Sequence, residues 1–342
     1  MKSGSNIYLV TRVHGLRTHL MPLPNVQSLL KTKDSKEVVD ALTKTSYGTD
    51  IAPLPTQGID AELLEGVVLR KLQERFYFVS RVAQGKMREL LSRYCARLEV
   101  DNIKKIVRTK HGGHSFEKPI LIPIPREQSL VNFEALLEAK DIDEVVSLLR
   151  DTPYSLSETL QSYKESGISL ILERNLDGVY FGRVWELASK IRGVRELVGE
   201  EIDLRNILFA FLLRTRIFSQ KELEEMYAIP HPYHSIMQST LHSLVQTRLE
   251  DIPNVVTPRY SDLASEAVKL VKGDSPTPLE WLFLKRLYRD AGVTARMDPL
   301  QAGFVIAYLL MCECEAKNLV SIVTGKQLGL AEEEIASGVF TV

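Results

Sequence analysis

Cysteine is scarce in this chain, with three residues among 342. Three cysteines cannot build the disulfide framework of a small secreted protein, and they suit a reducing compartment. Long apolar runs are also missing, since 207–213 and 303–312 fall well short of the roughly 20 residues that a membrane span needs. The N-terminus lacks the charged and then apolar pattern of a secretion signal. We therefore expect a soluble, cytoplasmic protein.

Neither sign of charge dominates the chain. The 43 basic and 44 acidic residues give a formal net charge of −1. A balanced charge provides no field that would attract nucleic acid or an anionic membrane surface, so we expect neither as a partner. The length is sufficient for two or three domains, each with its own hydrophobic core.

Motifs for catalysis and cofactor binding are absent as well. Gly325-Lys326 is followed by Gln327 and lacks the glycine five positions earlier that a phosphate-binding loop requires. Cys312 and Cys314 lie two positions apart in an apolar helix, so they point to different faces and are assigned to packing. Three carboxylates lack an evident partner for acid–base catalysis: Glu165, Glu173 and Asp177. We predict no catalytic residue and no cofactor.

Two pairs of histidines have a spacing that occurs in metal sites, namely His111 with His114 and His231 with His234. A metal site needs further ligands in register, and the sequence supplies none beside either pair. We therefore predict no metal. A metal-dependent hydrolase that uses these histidines is kept as an alternative.

What the chain does contain is an internal repeat. Residues 133–154 align with residues 26–47 at an offset of 107, and ten of the 22 positions are identical. Composition alone would give about one or two matches. Asp34 with Glu37, and Asp141 with Glu144, have the spacing of a capping box between two short apolar helices. Each copy, called a cassette below, is predicted to be a helix, a turn at Lys-Asp and a second helix.

A second signature, an acid three residues before an asparagine, occurs three times, at Asn102, Asn206 and Asn318. The separations of 104 and 112 predict three units of a little over 100 residues, at 1–98, 99–202 and 203–342. The third unit is degenerate, although Ser219 and Glu222 could cap a helix there. Each asparagine is interpreted either as a partner-contact residue or as a side chain bonded to the backbone of a neighbouring helix at a domain junction, and the second interpretation is favoured.

The apolar spacing predicts an all-α protein. We expect helices at 8–20 and over 60–110, the second interrupted near Gly85, and a non-helical connection at 111–126 in which only 120–124 suits an extended strand. A C-terminal helix over 298–323 is expected to pack on the first unit, which lacks a preceding long helix.

These features together resemble a known family. Tyr8 to Leu20 (YLVTRVHGLRTHL), the LLxxKDxxEVVxxLxxTxY cassette and the ExxNL signature near the C-terminus resemble the C subunit of archaeal and bacterial A/V-type ATPases. That protein is similar to the d subunit of the eukaryotic vacuolar ATPase. The resemblance covers nearly the whole chain, most strongly 8–110, 129–160 and 198–216. The chain departs from the pattern in its third unit and in the connection at 111–128.

The resemblance implies three similar helical domains arranged as a funnel with pseudo-threefold symmetry. It implies a non-catalytic rotor subunit on the cytoplasmic face of the membrane, one copy within a larger complex that transports protons or sodium ions. Its partners would be the central shaft, whose tip it receives, and the membrane proteolipid ring on which it sits. A helical scaffold unrelated to rotary ATPases remains an alternative.

Overall fold

The computed structural model describes residues 3–54, 60–113, 118–214, 218–272 and 276–341. These residues form α-helices and short 3-10 helices, and no strand occurs among them, which confirms the all-α fold class. The α-helices, numbered α1 to α19 in chain order, are Ser3–Arg17, Leu23–Leu30, Ser35–Leu42, Gly48–Ile51, Ala61–Val82, Gly85–Cys95, Arg97–Gly112, Phe133–Glu138, Ile142–Leu149, Leu160–Ser166, Ser169–Ala188, Val194–Leu212, Gln220–Ala228, Gln238–Gln246, Ile252–Val255, Ser261–Val271, Pro276–Met297, Gly303–Gln327 and Glu332–Ser337. The 3-10 helices are Arg126–Gln128, Leu249–Asp251 and Pro258–Tyr260.

The chain divides into two compact units. The first comprises Met1–Tyr180 together with Tyr308–Thr341, and the second comprises Phe181–Ala307. The first unit therefore contains both strongly matching cassettes and the C-terminal helices.

The two cassettes of the first unit are capped as their sequences predict. Asp34 accepts a hydrogen bond from the backbone N–H of Glu37 at 2.9 Å, and Asp141 accepts one from Glu144 at 3.0 Å. Each glutamate carboxylate in turn accepts a hydrogen bond from the backbone N–H of the residue before the cap, Lys33 at 2.9 Å and Lys140 at 2.8 Å. The helices after these caps bury Val38, Val39 and Leu42 in one cassette and Val145, Val146 and Leu149 in the other.

The long helical stretch that follows the first cassette is divided into α5, α6 and α7. The predicted interruption at Gly85 is confirmed, because this residue has a φ of +56°, which a side chain would strain. A second break, at Ala96, was not predicted. The connection predicted at 111–126 is non-helical over 118–125, but α7 continues through 111 and 112, Arg126 begins a 3-10 helix, and 120–124 forms no strand.

Two predicted helices, 8–20 and 298–323, have wrong boundaries at both ends. α1 begins at Ser3 and ends at Arg17, because Thr18, His19 and Leu20 form successive i to i−3 turns instead of continuing the helix. α18 begins at Gly303 and not at 298, because 298–302 forms a turn, and it continues beyond 323 to Gln327. The turn ends in a backbone bond from Gln301 to Asp298.

α18 is in direct contact with the first cassette and with the beginning of α5. The Lys326 ammonium donates to the carbonyl of Leu30 at 2.6 Å, and the Gln327 side chain accepts from the backbone N–H of Ala61 at 2.5 Å. The short helix α19 packs on α2. The C-terminal segment thus contacts residues that are 266 and 296 positions away in sequence.

In the second unit, α12 packs against α14 and α17. α13 carries the capping box predicted at Ser219 and Glu222, with bonds of 3.3 and 2.6 Å. The segment 238–260, from α14 through the 3-10 helix Pro258–Tyr260, has the length of a cassette and is called the third cassette. Its second helix is broken into a 3-10 turn and the four-residue α15. This broken helix accounts for the weak sequence match in the third predicted repeat, 203–342.

Candidate functional site

The three predicted asparagines lie on α7, α12 and α18, and all are buried. Asn102 donates to the carbonyl of Ile122 at 2.9 Å and accepts from the N–H of the same residue at 2.8 Å. Asn318 makes the same pair of bonds with Phe340, at 2.9 and 2.7 Å. A side-chain amide used in this way substitutes for a β-ladder partner and fixes a non-helical segment on a helix.

Asn206 makes a related contact in the second unit, where its side chain donates to the carbonyl of Pro232 at 3.2 Å. Proline has no backbone N–H, so the reciprocal bond to the same residue cannot form. All three asparagines therefore bond to backbone, but to that of a non-helical segment later in the chain and not to that of a neighbouring helix as expected.

We expect Asn102→Ala to lower the free energy of unfolding by about 2–3 kcal/mol, because the buried N–H and C=O of Ile122 would both lose their partner. Urea denaturation followed by circular dichroism measures this change. Asn25→Ala, at an exposed position, is the matched control and should change the midpoint little. A midpoint for Asn102→Ala equal to that of the control would contradict the expectation.

The acid of each signature binds both ends of one cassette. Glu99 on α7 accepts from the backbone N–H of Leu130 at 2.8 Å, just before the second cassette, and from the hydroxyl of Tyr154, its last residue, at 2.5 Å. The Ser129 hydroxyl adds a third bond at 2.7 Å. One buried carboxylate thus joins the beginning and the end of a helical hairpin; we call this arrangement a clamp.

The first cassette is held by a clamp from the far end of the sequence. Glu315 on α18 accepts from the Tyr47 hydroxyl at 2.8 Å and from the backbone N–H of Met21. The Arg75 guanidinium pairs with the same carboxylate at 2.5 Å, with both side chains less than one-tenth exposed. Burial, followed by the negative charge of Glu315, raises the pKa of Tyr47 well above its ordinary value, so this tyrosine stays a neutral donor.

The third clamp lies within the second unit. Asp203 on α12 accepts from the Tyr260 hydroxyl at 3.1 Å and from the backbone N–H of Ile236 at 2.8 Å. His234 and Ser235 bond to the same carboxylate, with an imidazole Nδ1 distance of 3.0 Å and a backbone N–H distance of 2.9 Å. The third cassette has lost most of its sequence match but retains its clamp.

Sequence reasoning identified the acids only as part of the asparagine signature and did not identify the tyrosines as their partners. Tyr47 and Tyr154 end the aligned cassettes, and Tyr260 follows 106 positions after the second of them. The recurrence of a tyrosine at this spacing could have identified the partners of the acids, and Tyr260 also marks the end of the third cassette.

A further buried ion pair is formed by residues two positions before the clamp acids Glu99 and Glu315. Arg97 on α7 and Glu313 on α18 approach to 3.1 Å, with side chains 5% and 7% exposed. Arg97 also donates to the Tyr94 hydroxyl at 2.5 Å. Buried pairs of this kind are costly to break singly, because either partner alone leaves an uncompensated charge.

The second unit holds a buried carboxylate beside its clamp. Glu200, which is 3% exposed, lies 2.7 Å from Arg259 and 3.8 Å from Arg286. Burial is the main reason that the pKa of Glu200 is raised to about 8. A hydrogen bond to Asp290 and the negative charge of Asp290 raise this pKa further, while the positive charges of Arg259 and Arg286 lower it. Burial alone would raise the pKa of Asp290, but hydrogen bonds from Glu200 and Arg286 lower it. Near neutral pH, Glu200 therefore holds the proton of this pair.

This proton makes stability depend on pH. Between the ordinary pKa of 4.5 and the folded value of about 8, the folded chain keeps the Glu200 proton and the unfolded chain releases it. The free energy of unfolding contributed by this group therefore falls as pH rises through that window. Glu200→Gln, which is always neutral, should flatten the dependence in denaturation midpoints measured from pH 5 to 9. Glu134→Gln, at an exposed position, should keep the wild-type slope; an unchanged slope in Glu200→Gln would refute the assignment.

The predicted histidine pairs have protein partners where they are described. His111 lies 3.1 Å from the Tyr163 hydroxyl, whereas His114 falls outside the described residues. His231 lies 3.0 Å from the carbonyl of Pro232, and His234 belongs to the third clamp. Within the described parts of the chain, no group of three or more histidine, cysteine, aspartate or glutamate side chains is arranged to hold a metal ion.

The remaining candidates also have partners. Glu165 accepts from Gln161 at 2.8 Å, Glu173 pairs with Arg108 at 2.6 Å and Asp177 pairs with Lys104 at 2.6 Å. Cys312 and Cys314 are buried free thiols, as is Cys95. Burial raises the pKa of Cys95 and of Cys312 to about 12, so both thiols are unreactive near neutral pH.

Among the helices that the structure describes, none is long and apolar enough to cross a membrane. The fold and its site define an all-α repeat protein whose cassettes are closed by buried acid–tyrosine clamps. The chain belongs to the ATP synthase (C/AC39) subunit family, whose model matches residues 9–338. This confirms the resemblance that the cassette and the signature motifs indicated.

The chain is similar over nearly its whole length to curated archaeal proteins. It is 24% identical to the A-type ATP synthase C subunit of Haloferax volcanii, with 97% of each chain covered. It is 26% identical to that of Haloquadratum walsbyi, covering 97% of this chain and 98% of the relative. The corresponding protein of Methanothermobacter thermautotrophicus is 26% identical over 87% of this chain and 80% of its own.

Proposed function

We propose that this protein is a non-catalytic rotor subunit of an A/V-type rotary ATPase. In this role it is a socket that receives the tip of the central shaft and rests on the membrane proteolipid ring, at the cytoplasmic face. One copy would couple shaft rotation to transport of protons or sodium ions, without a cofactor or metal of its own. Whole-length similarity to A-type ATP synthase C subunits supports the assignment to such a complex.

The observation that carries the mechanical role is the clamp, repeated in every cassette. Each clamp ties the two ends of a helical hairpin to one buried carboxylate on a long helix. A hairpin fixed at both ends resists opening under load, because its helices cannot separate without exposing an unpaired charge. Stiffness of this kind is what a coupler needs in order to transmit torque.

We further propose that the three clamped cassettes represent three similar domains, at 1–98, 99–202 and 203–342, related by pseudo-threefold symmetry in a funnel. The contacts of α18 with the first cassette support a closed set, in which the C-terminal helix takes the place of the long helix that the first domain lacks. In this arrangement Asn102, Asn206 and Asn318 are structural positions and not partner contacts.

Deletion of the gene for this subunit tests the function. Membranes without it should retain ATP hydrolysis by the catalytic head but lose ATP-driven ion transport, measured as a transmembrane gradient in vesicles. Complementation with the intact chain is the control and should restore transport. The proposal fails if vesicles without the protein transport ions at the normal ratio to ATP, or if the purified chain hydrolyses ATP by itself.

A further inference from the structure

The two cassettes of the first unit have the same local structure. Their second helices, Ser35–Leu42 and Ile142–Leu149, are separated by the repeat offset of 107 residues. After each helix a threonine hydroxyl donates to the carbonyl of the last helical residue, from Thr45 at 2.7 Å and from Thr152 at 2.8 Å. Residues at equivalent positions of the alignment therefore occupy equivalent places in the two hairpins.

The exposed surfaces of these two cassettes carry opposite charge. Four lysines and three acids give residues 26–47 a formal charge of +1, whereas two basic and six acidic residues give residues 133–154 a charge of −4. Three exposed lysines of the first cassette stand where the second has an exposed acid: Lys31 for Glu138, Lys36 for Asp143 and Lys44 for Asp151. Acidic residues number 44 among 342, so composition alone would place acids at all three positions about twice in a thousand cases.

The stability of the hairpins does not account for this reversal. The helix dipole favours an acid in the first turn of a helix and a base at its C-terminal end. Lys36 is the second residue of α3, and Asp151 lies two positions after the end of α9, so each has the disfavoured sign. Neither has an ion-pair partner among the described residues that would compensate. Charges that oppose local stability in this way indicate a functional surface.

Lys31, Lys36 and Lys44 together are called the lysine surface. Within the parts of the chain that the structure describes, none of them forms an ion pair. Lys31 and Lys36 lie on either side of the turn between α2 and α3, and Lys44 lies beyond the other end of α3, a helix about 12 Å long. The second cassette stays acidic, because its one described ion pair among the equivalent acids, Asp143 with Lys164, is about half exposed to water.

The occupant that suits the lysine surface is an acidic protein. Nucleic acid and anionic lipid present a dense negative field, and binding to either needs a large positive patch, whereas the first cassette has a net charge of only +1. A protein interface needs only a few complementary charges, which determine the choice of partner more than the affinity.

We propose that the lysine surface docks an acidic surface of one protein partner, and that the second cassette excludes the same partner by its reversed charge. This rests on the rotor function proposed above, because the partner is taken to be another subunit of that complex. Two seats of the same local structure and opposite charge admit an acidic partner at one of them only. The reversal thus distinguishes two hairpins that their shared structure would make interchangeable, and it suits a partner present in a single copy.

Carbodiimide cross-linking of the complex, purified from membranes through a tag on this chain, tests the proposal. The reagent joins a lysine amine to a carboxylate only where the two are in contact. Mass spectrometry should find Lys31, Lys36 or Lys44 joined to aspartate or glutamate of one other subunit. Lys86, an exposed lysine of the same unit, is the control and should form no such link.

Charge reversal provides a second measurement, on the purified chain and the subunit that the cross-links identify. The triple variant Lys31→Glu, Lys36→Glu, Lys44→Glu should bind that subunit at least about tenfold more weakly at low ionic strength, and salt should reduce the difference. The triple variant Arg70→Glu, Arg81→Glu, Lys86→Glu changes the net charge equally at exposed positions of the same unit. It should bind like the wild type.

Three results would overturn the proposal: no cross-links from the lysine surface, normal binding by its triple variant, or an equal loss in the control variant. Flotation with vesicles that contain phosphatidylserine distinguishes a membrane surface from a protein. If the lysine variant loses vesicle binding but keeps subunit binding, the lysines contact lipid and the proposal is wrong. If the tagged wild-type chain purifies without any ATP synthase subunit, the rotor function itself fails, which separates the two failures.

Discussion

Replacing Glu315 by alanine is expected to lower the free energy of unfolding by about 3–5 kcal/mol, because it leaves a buried guanidinium without its countercharge. The side chains of Arg75 and Glu315 are 7% and 5% exposed, and a guanidinium nitrogen of Arg75 lies 2.5 Å from a carboxylate oxygen of Glu315. The same change removes the acceptor of the Tyr47 hydroxyl and of the Met21 backbone N–H. A single side chain therefore supports an ion pair and the first clamp together.

Urea denaturation of the variant and the wild type measures this effect. Glu173→Ala is the matched control, since it breaks an ion pair with Arg108, whose side chain is 54% exposed, and should cost about 1 kcal/mol or less. The double variant Arg75→Met, Glu315→Met should be more stable than Glu315→Ala, because no buried charge remains. A loss for Glu315→Ala no larger than that for Glu173→Ala would show that the clamp contributes little to stability.

The local features of the fold could be predicted because they depend on neighbouring residues. A cap such as Asp34 with Glu37 needs partners only three residues apart, so its geometry is encoded within the cassette. The break at Gly85 is local too, because a positive φ is adopted by glycine far more readily than by residues with a side chain. The predicted positions of the helix ends near Leu20 and at Gly303 were wrong because turns form there. The spacing of apolar residues, on which the prediction depended, carries no information about turns.

The clamps could not be predicted because their partners are distant in sequence. Tyr47 and Glu315 are separated by 268 residues, and nothing in the pattern around either one specifies the other. Tyr154 and Glu99 are 55 residues apart, and Tyr260 and Asp203 are 57 apart. The sequence contains the acids in the asparagine signature and Tyr47 and Tyr154 at the ends of the aligned cassettes, with no indication that they meet. Only the packing of helices on cassettes shows that each acid and tyrosine form one site.

The third cassette shows why sequence similarity and clamp geometry can decay at different rates. Its second helix is reduced to a 3-10 turn and α15, so the apolar spacing that produced the first alignment no longer applies. Its clamp survives, with Asp203 fully buried. A buried carboxylate without its donors is costly, so the donors around Asp203 are under a tighter physical constraint than the exposed face of the helix.

Deleting residues 311–342 should unfold the first cassette and leave the third one folded. The deletion removes Glu315 together with Glu313, so Arg75 and Arg97 would both be buried without a countercharge. Amide hydrogen exchange in 8–20 and 35–47 should accelerate by at least about a hundredfold, because opening there would no longer require breaking the clamp.

The third cassette provides an internal control in the same experiment. Asp203 and its partners Ile236 and Tyr260 all lie in the second unit, so exchange in 238–260 should keep its wild-type protection. A shorter deletion, 328–342, removes α19 and the Phe340 partner of Asn318 but keeps Glu315 and its bonds to the first cassette. It should therefore give an intermediate loss of protection. Unchanged protection of 8–20 in the longer deletion would mean that the first cassette folds without the C-terminal helix, and the closed set of three domains would then be wrong.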